Sequence, residues 1–456
     1  MSQVESPQLK FIEMRAFWRR TLLIVPIMLA AMCAWYTLRW AVGNTIATTP
    51  ELASNIERAR AAVRLAPNDP QTHFTLGVRS REMLLPEDLP LALREYEWAV
   101  SLSPHDFRLW MDMGRAREQA GDAAGGERAL RRAAELAPFY ADPRWFLGNL
   151  LLREGRLDES FQELRRAGDA DPSLRPQIFN LASRMYNGNV SEIMARAGDS
   201  AQARAQLIQH LINLQRVDDA LRLWASLNPD ERGKQREAGE ALMSTLFAAK
   251  RFRSVLDVYR DVTPTNVDVG RVSNNSFEQD IDGQGTDLFG WQVVSVLQAQ
   301  IHLDAKNSYH GERSLRIIFD APSAVDFRNI SQFIVVEPST RYRLQFFIRT
   351  VDLKTASTLV TEIVDAANPS RLLAASDSLP DGRNEWQPMT VDFTTPSQTS
   401  AITLRLNRAP CVTGVCPIFG KVWYDNFDLQ RLGSDSSGAR PSSVRGRDNA
   451  ADPSNR

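Results

Sequence analysis

The sequence predicts a multidomain chain, α then β: a single transmembrane helix, an α-solenoid of helix pairs, and a C-terminal antiparallel β-sandwich. Three observations carry this. Pro104, Pro138 and Pro172 recur every 34 residues, and Gly114/Gly148, Gly121/Gly155 and Ala133/Ala167 keep the same interval; such a period marks a stacked repeat. Thr21 to Leu38 holds no charged residue. After Thr263-Pro264 helical periodicity vanishes and short alternating runs take over.

Residues 1–20 are polar and carry Lys10, Arg15, Arg19 and Arg20. The transmembrane helix is placed at 21–40. Its 18 uncharged residues, TLLIVPIMLAAMCAWYTL, would rise roughly 27 Å as a helix, close to the bilayer's hydrocarbon core of about 30 Å. Trp18, Trp35, Tyr36 and Trp40 cluster at its ends, where amphipathic rings favour the interface. A cleaved signal peptide would need a small-residue site, and WYTLRWAVGN offers a poor one. A buried core helix is opposed by the basic and aromatic flanks. Four basic residues precede the span and Arg39 alone follows closely, which keeps the N-terminus cytoplasmic and puts the rest outside. In a Gram-negative cell that means an inner-membrane anchor with periplasmic domains.

GNTIATTP (43–50) reads as a short tether, and 51–66 as one amphipathic helix opening a solenoid over 51–262. Trp110, Met113 and Gly114 share one helix face, Gly121-Asp122 makes a turn, and Gly126, Leu130 and Ala133 give the next helix a narrow packing face. Leu147, Gly148, Gly155, Ser160, Leu164, Ala167 and Pro172 repeat the plan. Phe74, Gly77, Ala92, Tyr96, Ala99 and Pro104 do so with extra residues near Pro86-Glu87-Asp88. At these residues the chain resembles the tetratricopeptide repeat family, strongly over 51–172 and more weakly over 173–262. In that family the other face of each first helix lines a groove for protein partners. Mapped here, the groove residues are Arg108, Met111, Arg115, Trp145, Asn149 and Arg153, suited to an extended peptide or an acidic group. A plain solvated helix face is the alternative.

Seven alternating runs between 314 and 430 predict strands of a sandwich over 265–432, and the Ser-, Gly- and Arg-rich remainder (433–456) predicts a disordered tail. NNSFE (274–278), Gly290-Trp291, SYHGERSLRI (308–317), Trp386 and VWYDNFDL (422–429) give this domain a resemblance to carbohydrate-binding modules of the galactose-binding jelly-roll type. The resemblance implies a structural calcium beside the closing strand, with Glu278 and Asp425 as carboxylate ligands; alternatively Asp425 and Asn426 satisfy turn backbone groups. It also implies glycan contacts, for which Trp291, Tyr309, Trp386 and Trp423 are the candidate rings, though each tryptophan also reads as core. Cys411 and Cys416 flank four residues and would close a tight loop as a disulfide outside the cytoplasm.

A net charge of −1 and 24% charged residues give no reason to expect nucleic acid. The five histidines are scattered without metal-ligand spacing. No nucleophile elbow, phosphate loop or metalloprotease motif occurs, so no cofactor is required and no enzyme activity is expected. The predicted function is a periplasmic scaffold, its solenoid holding a protein and its sandwich a polysaccharide, accessory to polysaccharide synthesis or export. A pure protein–protein adaptor and a glycan-processing enzyme are the rivals.

Overall fold

The computed structural model describes residues 17–83, 88–281, 287–322, 326–408 and 416–432. The predicted tail, residues 1–16 of the N-terminal segment, the turn residues 84–87 and Cys411 lie outside them. The chain forms two compact units, Met1–His210 and Leu211–Arg456.

The first unit is helical: α1 (Phe17–Thr48), α2 (Pro50–Ala53), α3 (Ile56–Leu65), α4 (Pro70–Glu82), α5 (Leu89–Leu102), α6 (Phe107–Gln119), α7 (Ala123–Leu136), α8 (Ala141–Arg153), α9 (Leu157–Ala170), α10 (Arg175–Met185), α11 (Val190–Ala197) and the start of α12 (Ala201–Asn213). Pairs α4–α5, α6–α7 and α8–α9 pack closely, as the period requires. Asp69, Asp106 and Asp122 cap α4, α6 and α7 by accepting backbone N–H bonds at 3.0, 3.0 and 2.8 Å. Gly121 (φ +86°) and Gly155 (φ +77°) turn the chain in the left-handed region. Within each pair the helices touch at a glycine: a Cβ on Gly114 would lie 2.7 Å from Leu130 Cγ, and one on Gly148 2.7 Å from Leu164 Cγ. The irregular stretch after Pro172 holds a shortened pair, α10 and α11.

The tether expected at 43–50 is instead helix. α1 runs to Thr48, and Gly43 and Ala47 are buried. Gly43 is small because α3 crosses there; a Cβ on it would stand 2.8 Å from Ala66 Cβ. The following amphipathic stretch is broken into α2 and α3 by Asn55, whose side chain caps α3.

Among the described residues the second unit joins α13 (Val217–Ala225), α14 (Pro229–Lys234), α15 (Arg236–Ala248) and α16 (Phe252–Val262) to ten strands. These are β1 (Trp291–Val293), β2 (Ala299–Asp304), β3 (Ser314–Ala321), β4 (Ile330–Val335), β5 (Arg341–Thr355), β6 (Leu359–Asp365), β7 (Asn368–Ala375), β8 (Gly382–Thr394), β9 (Ala401–Arg408) and β10 (Ile418–Arg431). They form two antiparallel sheets, ordered β1-β4-β9-β6-β7 and β2-β3-β10-β5-β8. Leu315, Ile317, Phe346, Ile348, Leu404 and Tyr424 fill the space between them. The composition change at Thr263-Pro264 is where helix gives way to strand, yet the last helices pack on the sandwich. Phe247 and Phe252 lie against Phe333 of β4 at 5.2 and 5.1 Å between ring centroids, and Arg253 pairs with Glu337 at 3.0 Å.

Candidate functional site

In the first unit a cleft of 350 Å³ opens where α4, α6 and α8 present their first-helix faces, lined by Arg81, Arg115, Glu118, Gln119, Trp145, Phe146, Asn149 and Arg153. Four of the six predicted groove residues meet here. The Arg115 guanidinium lies 4.3 Å from the Phe146 ring centroid, a cation–π contact. Arg81 and Arg115 both donate to Asp112 Oδ1 at 3.0 Å, and Arg153 Nε donates to Glu118 Oε1 at 2.7 Å. Three arginines thus face two carboxylates, leaving one net positive charge. Asn149 Nδ2 donates to the Trp145 carbonyl at 2.8 Å, which fixes the amide beside the indole.

The other two predicted residues are placed elsewhere. Met111 packs against the core leucines of α7 and α8. Arg108 is held on its own cap, 2.6 Å from Asp106 Oδ2, and that guanidinium holds the Asp106 carboxyl below the usual carboxylate range. Sequence reasoning missed Arg81 and Phe146. The period could have found the first, since Arg81, Arg115 and Asn149 are each 34 residues apart.

In the second unit the outer face of the β2-β3-β10-β5-β8 sheet carries an aromatic platform. Strand alternation turns Phe346 and Ile348 inward and Phe347 and Arg349 outward. Tyr309, 46% exposed, stacks on Phe347 at 3.6 Å with 14° between planes, and Trp386 lies 6.1 Å from Tyr309. Arg349 bridges the platform's polar edge, 3.3 Å from Glu385 and bonded to Asn307 Oδ1 at 2.5 Å. Tyr309 and Trp386 therefore come together as surface rings, joined by Phe347.

Trp291 and Trp423 do not join them. Trp291 is 3% exposed and sits in the core between Phe277 and Phe427, both at 5.1 Å. Trp423, 4% exposed, lies under Arg349 and donates to Asp304 Oδ2 at 2.8 Å. Burial alone would raise the Asp304 carboxyl, but the bonds from Trp423, Lys306 N–H and Asn307, with the Arg316 charge, hold it below the usual range.

Glu278 and Asp425 grip the loop that carries Tyr309. Asp425 Oδ2 accepts the Tyr309 and His310 N–H groups at 2.7 and 2.9 Å, and its Oδ1 accepts that of Asn426 at 2.7 Å. Glu278 Oε1 accepts the N–H groups of Glu312 and Arg313 at 2.9 and 3.1 Å. Burial, with the Glu278 charge, raises the Asp425 carboxyl against the pull of those bonds. A hard cation wants six or more oxygens. Here N–H donors engage three of the four carboxylate oxygens, and no group of three or more His, Cys, Asp or Glu that could hold a metal occurs among the described residues. The pair as it stands is engaged by hydrogen-bond donors. Cys416 is fully buried, and the Arg408 guanidinium donates to its carbonyl at 2.9 Å.

Helix pairs at a 34-residue period give the first unit a tetratricopeptide-like fold, and two antiparallel sheets give the second a β-sandwich. No family pattern matches the chain. A 114-residue stretch, 24% of the chain, is 33% identical to the mouse (Mus musculus) protein O-mannosyl-transferase TMTC1 and spans 11% of that protein's length. Among solved structures, MamA is similar over 35% of this chain and 89% of its own, at 19% identity and a TM-score of 0.29. A CBM4 structure is similar over 35% of this chain and 99% of its own, at 14% identity and a TM-score of 0.27.

Proposed function

We propose that this chain is a membrane-anchored scaffold whose solenoid cleft holds an acidic, extended segment of a protein partner and whose sandwich contacts an envelope glycan. The observation that carries the reading is the cleft itself: Arg115 over Phe146, with Trp145 and Arg153 beside it and a net positive charge. Forked guanidiniums and a half-buried indole suit carboxylates on an extended backbone. A photoreactive residue at Asn149, in the full chain in its own membrane, tests it. Crosslinks lost on Arg115→Glu support the reading, and crosslinks indifferent to that change sink it.

The anchor reading is supported by α1. The helix holds a stretch, Ile24–Thr48, long and apolar enough to cross a bilayer, and it continues into the buried Gly43 and Ala47. Cleavage after the apolar run would sever α1 just ahead of its packed turns at Gly43 and Ala47, which disfavours a removed leader. On this reading the N-terminus is cytoplasmic, the solenoid and the sandwich are periplasmic, and Cys411 and Cys416 form a disulfide.

Tyr309, Phe347 and Trp386 would stack a sugar ring, with Arg349, Asn307 and Glu385 as polar partners. The role is an accessory of polysaccharide synthesis or export, not a catalyst. The transferase in the mouse relative's name concerns a protein of which this chain matches a small part. A second reading, an adaptor that binds no sugar, is favoured by the burial of Trp291 and Trp423, which halves the predicted set of rings.

A further inference from the structure

α1 passes from exposed apolar surface into packed solenoid without a break. Side chains from Ile24 to Leu38 are exposed throughout. Beyond them Arg39 Nη2 donates to the Arg64 carbonyl at 2.5 Å, Asn44 Nδ2 to Asp69 Oδ2 at 2.7 Å, and Thr75 Oγ1 to the Ala47 carbonyl at 3.0 Å. These bonds hold the end of α3, the loop after it and α4 against the turns of α1 that follow the uncharged run. At about 1.5 Å rise per residue, Leu38 and Gly43 are roughly 8 Å apart along the axis. The polar layer on each side of a bilayer is about 5–8 Å deep. With α1 spanning, the end of α3 lies at head-group depth.

A notch of 210 Å³ sits at that level, walled by Tyr36, Trp40, Leu65 and Pro67, with Arg39 and Asn68 also lining it. No carboxylate lines it. On α3, Arg60 pairs with Glu57 at 2.7 Å, while among the described residues Arg58 and Arg64 have no acidic partner. Apolar walls, one inward cation and a basic surround are the complement of an amphiphile with an anionic head.

We propose that this notch takes the phosphodiester head of a glycerophospholipid, with Arg39 against the phosphate and Tyr36, Trp40, Leu65 and Pro67 against the glycerol and first acyl carbons. The proposal rests on the anchor reading above. Arg39 uses part of its planar fork on the Arg64 carbonyl, and the remaining donors match phosphate oxygens. Arg58 and Arg64, without acidic partners among the described residues, add attraction for an anionic head group.

The test uses the full chain in nanodiscs of phosphatidylcholine with and without phosphatidylglycerol, and native mass spectrometry after delipidation. Wild type should retain one phosphatidylglycerol per chain, and Arg39→Gln and Trp40→Ala should lower retention about tenfold, a difference of about 1.4 kcal/mol. Arg222→Gln, remote on α13, should not change it. Helical circular dichroism separates loss of lipid from loss of fold. Equal retention of either lipid by wild type and Arg39→Gln, or a protein helix crosslinked at Trp40 in place of lipid, overturns the proposal. Alkaline extraction separates the two readings. A chain that resists extraction but retains no lipid refutes the notch alone, and a chain released from membranes refutes the anchor and the notch together.

Discussion

Gly148→Ala is a sharp test of the repeat packing. The new Cβ would stand 2.7 Å from Leu164 Cγ and 2.9 Å from Leu164 Cδ2. Leu164 is fully buried, and Ser160 Oγ donates to the Gly148 carbonyl at 2.7 Å, so α8 and α9 cannot simply part. Overpacking costs about 1–3 kcal/mol, while alanine over glycine inside a helix returns about 1 kcal/mol. The net loss should be about 1 kcal/mol. Leu164→Ala alone should cost about 2–5 kcal/mol. It removes both clashing atoms, so adding Gly148→Ala in that background should now stabilise by about 1 kcal/mol. The sign therefore reverses, with a coupling of about 2 kcal/mol. Urea unfolding of the four variants, followed by helical circular dichroism, measures it. If Gly148→Ala stabilises the wild type, or has the same effect in both backgrounds, the close helix approach is wrong.

Further outcomes follow from other sites. Tyr309→Ala and Trp386→Ala should each abolish glycan-array binding by the full chain, whereas Trp423→Phe should leave it intact; binding that survives the first two removes the platform. His73 is buried between Glu95 (2.6 Å) and the Pro67 carbonyl (2.8 Å). Burial opposes its charge, but those bonds and the charges of Glu95 and Asp69 outweigh it, so its pKa is raised. Its stabilisation is fully present below the ordinary histidine value of about 6.5 and is lost as pH rises through the higher folded value. The melting temperature should fall across that window in wild type and stay flat in His73→Gln. Calcium and chelator should leave the melting of the sandwich unchanged, and a rise with calcium would make Glu278 and Asp425 its ligands. Thiol labelling in intact cells should find Cys411 and Cys416 unreactive until reduced, and free thiols there would refute the periplasmic placement.

The repeat was legible because its cause is local: Gly114 packs against Gly126 and Leu130 within one unit, and Gly148 against Leu164 repeats the contact in the next. All seven strands read from alternation are present, whereas β7 (NPSRLLAA), mostly exposed, carries no alternation to read. The tether was misread because Gly43, Asn44 and Pro50 look like linker chemistry, while the partner that makes Gly43 small is α3. Likewise the change at Thr263 marks secondary structure, and nothing local announces that Phe247 and Phe252 will cover Phe333. At the candidate sites the period placed Arg115 and Asn149, but whether a tryptophan faces out depends on its strand neighbours. Trp386 and Trp423 look alike in sequence, and only the second lies beneath Arg349 with Asp304 to satisfy its indole N–H.

Because α1 is one uninterrupted rod from Phe17 to Thr48, its azimuth is inherited by everything docked on its far end. Inserting a single residue after Leu38 would swing Gly43 and the α3 seam by about 100° relative to the apolar run. The compass bearing at which the arginine-lined cleft meets its neighbours is thus written in the residue count of one helix, and a polyalanine ladder of such insertions would read it out as a periodic gain and loss of partner capture.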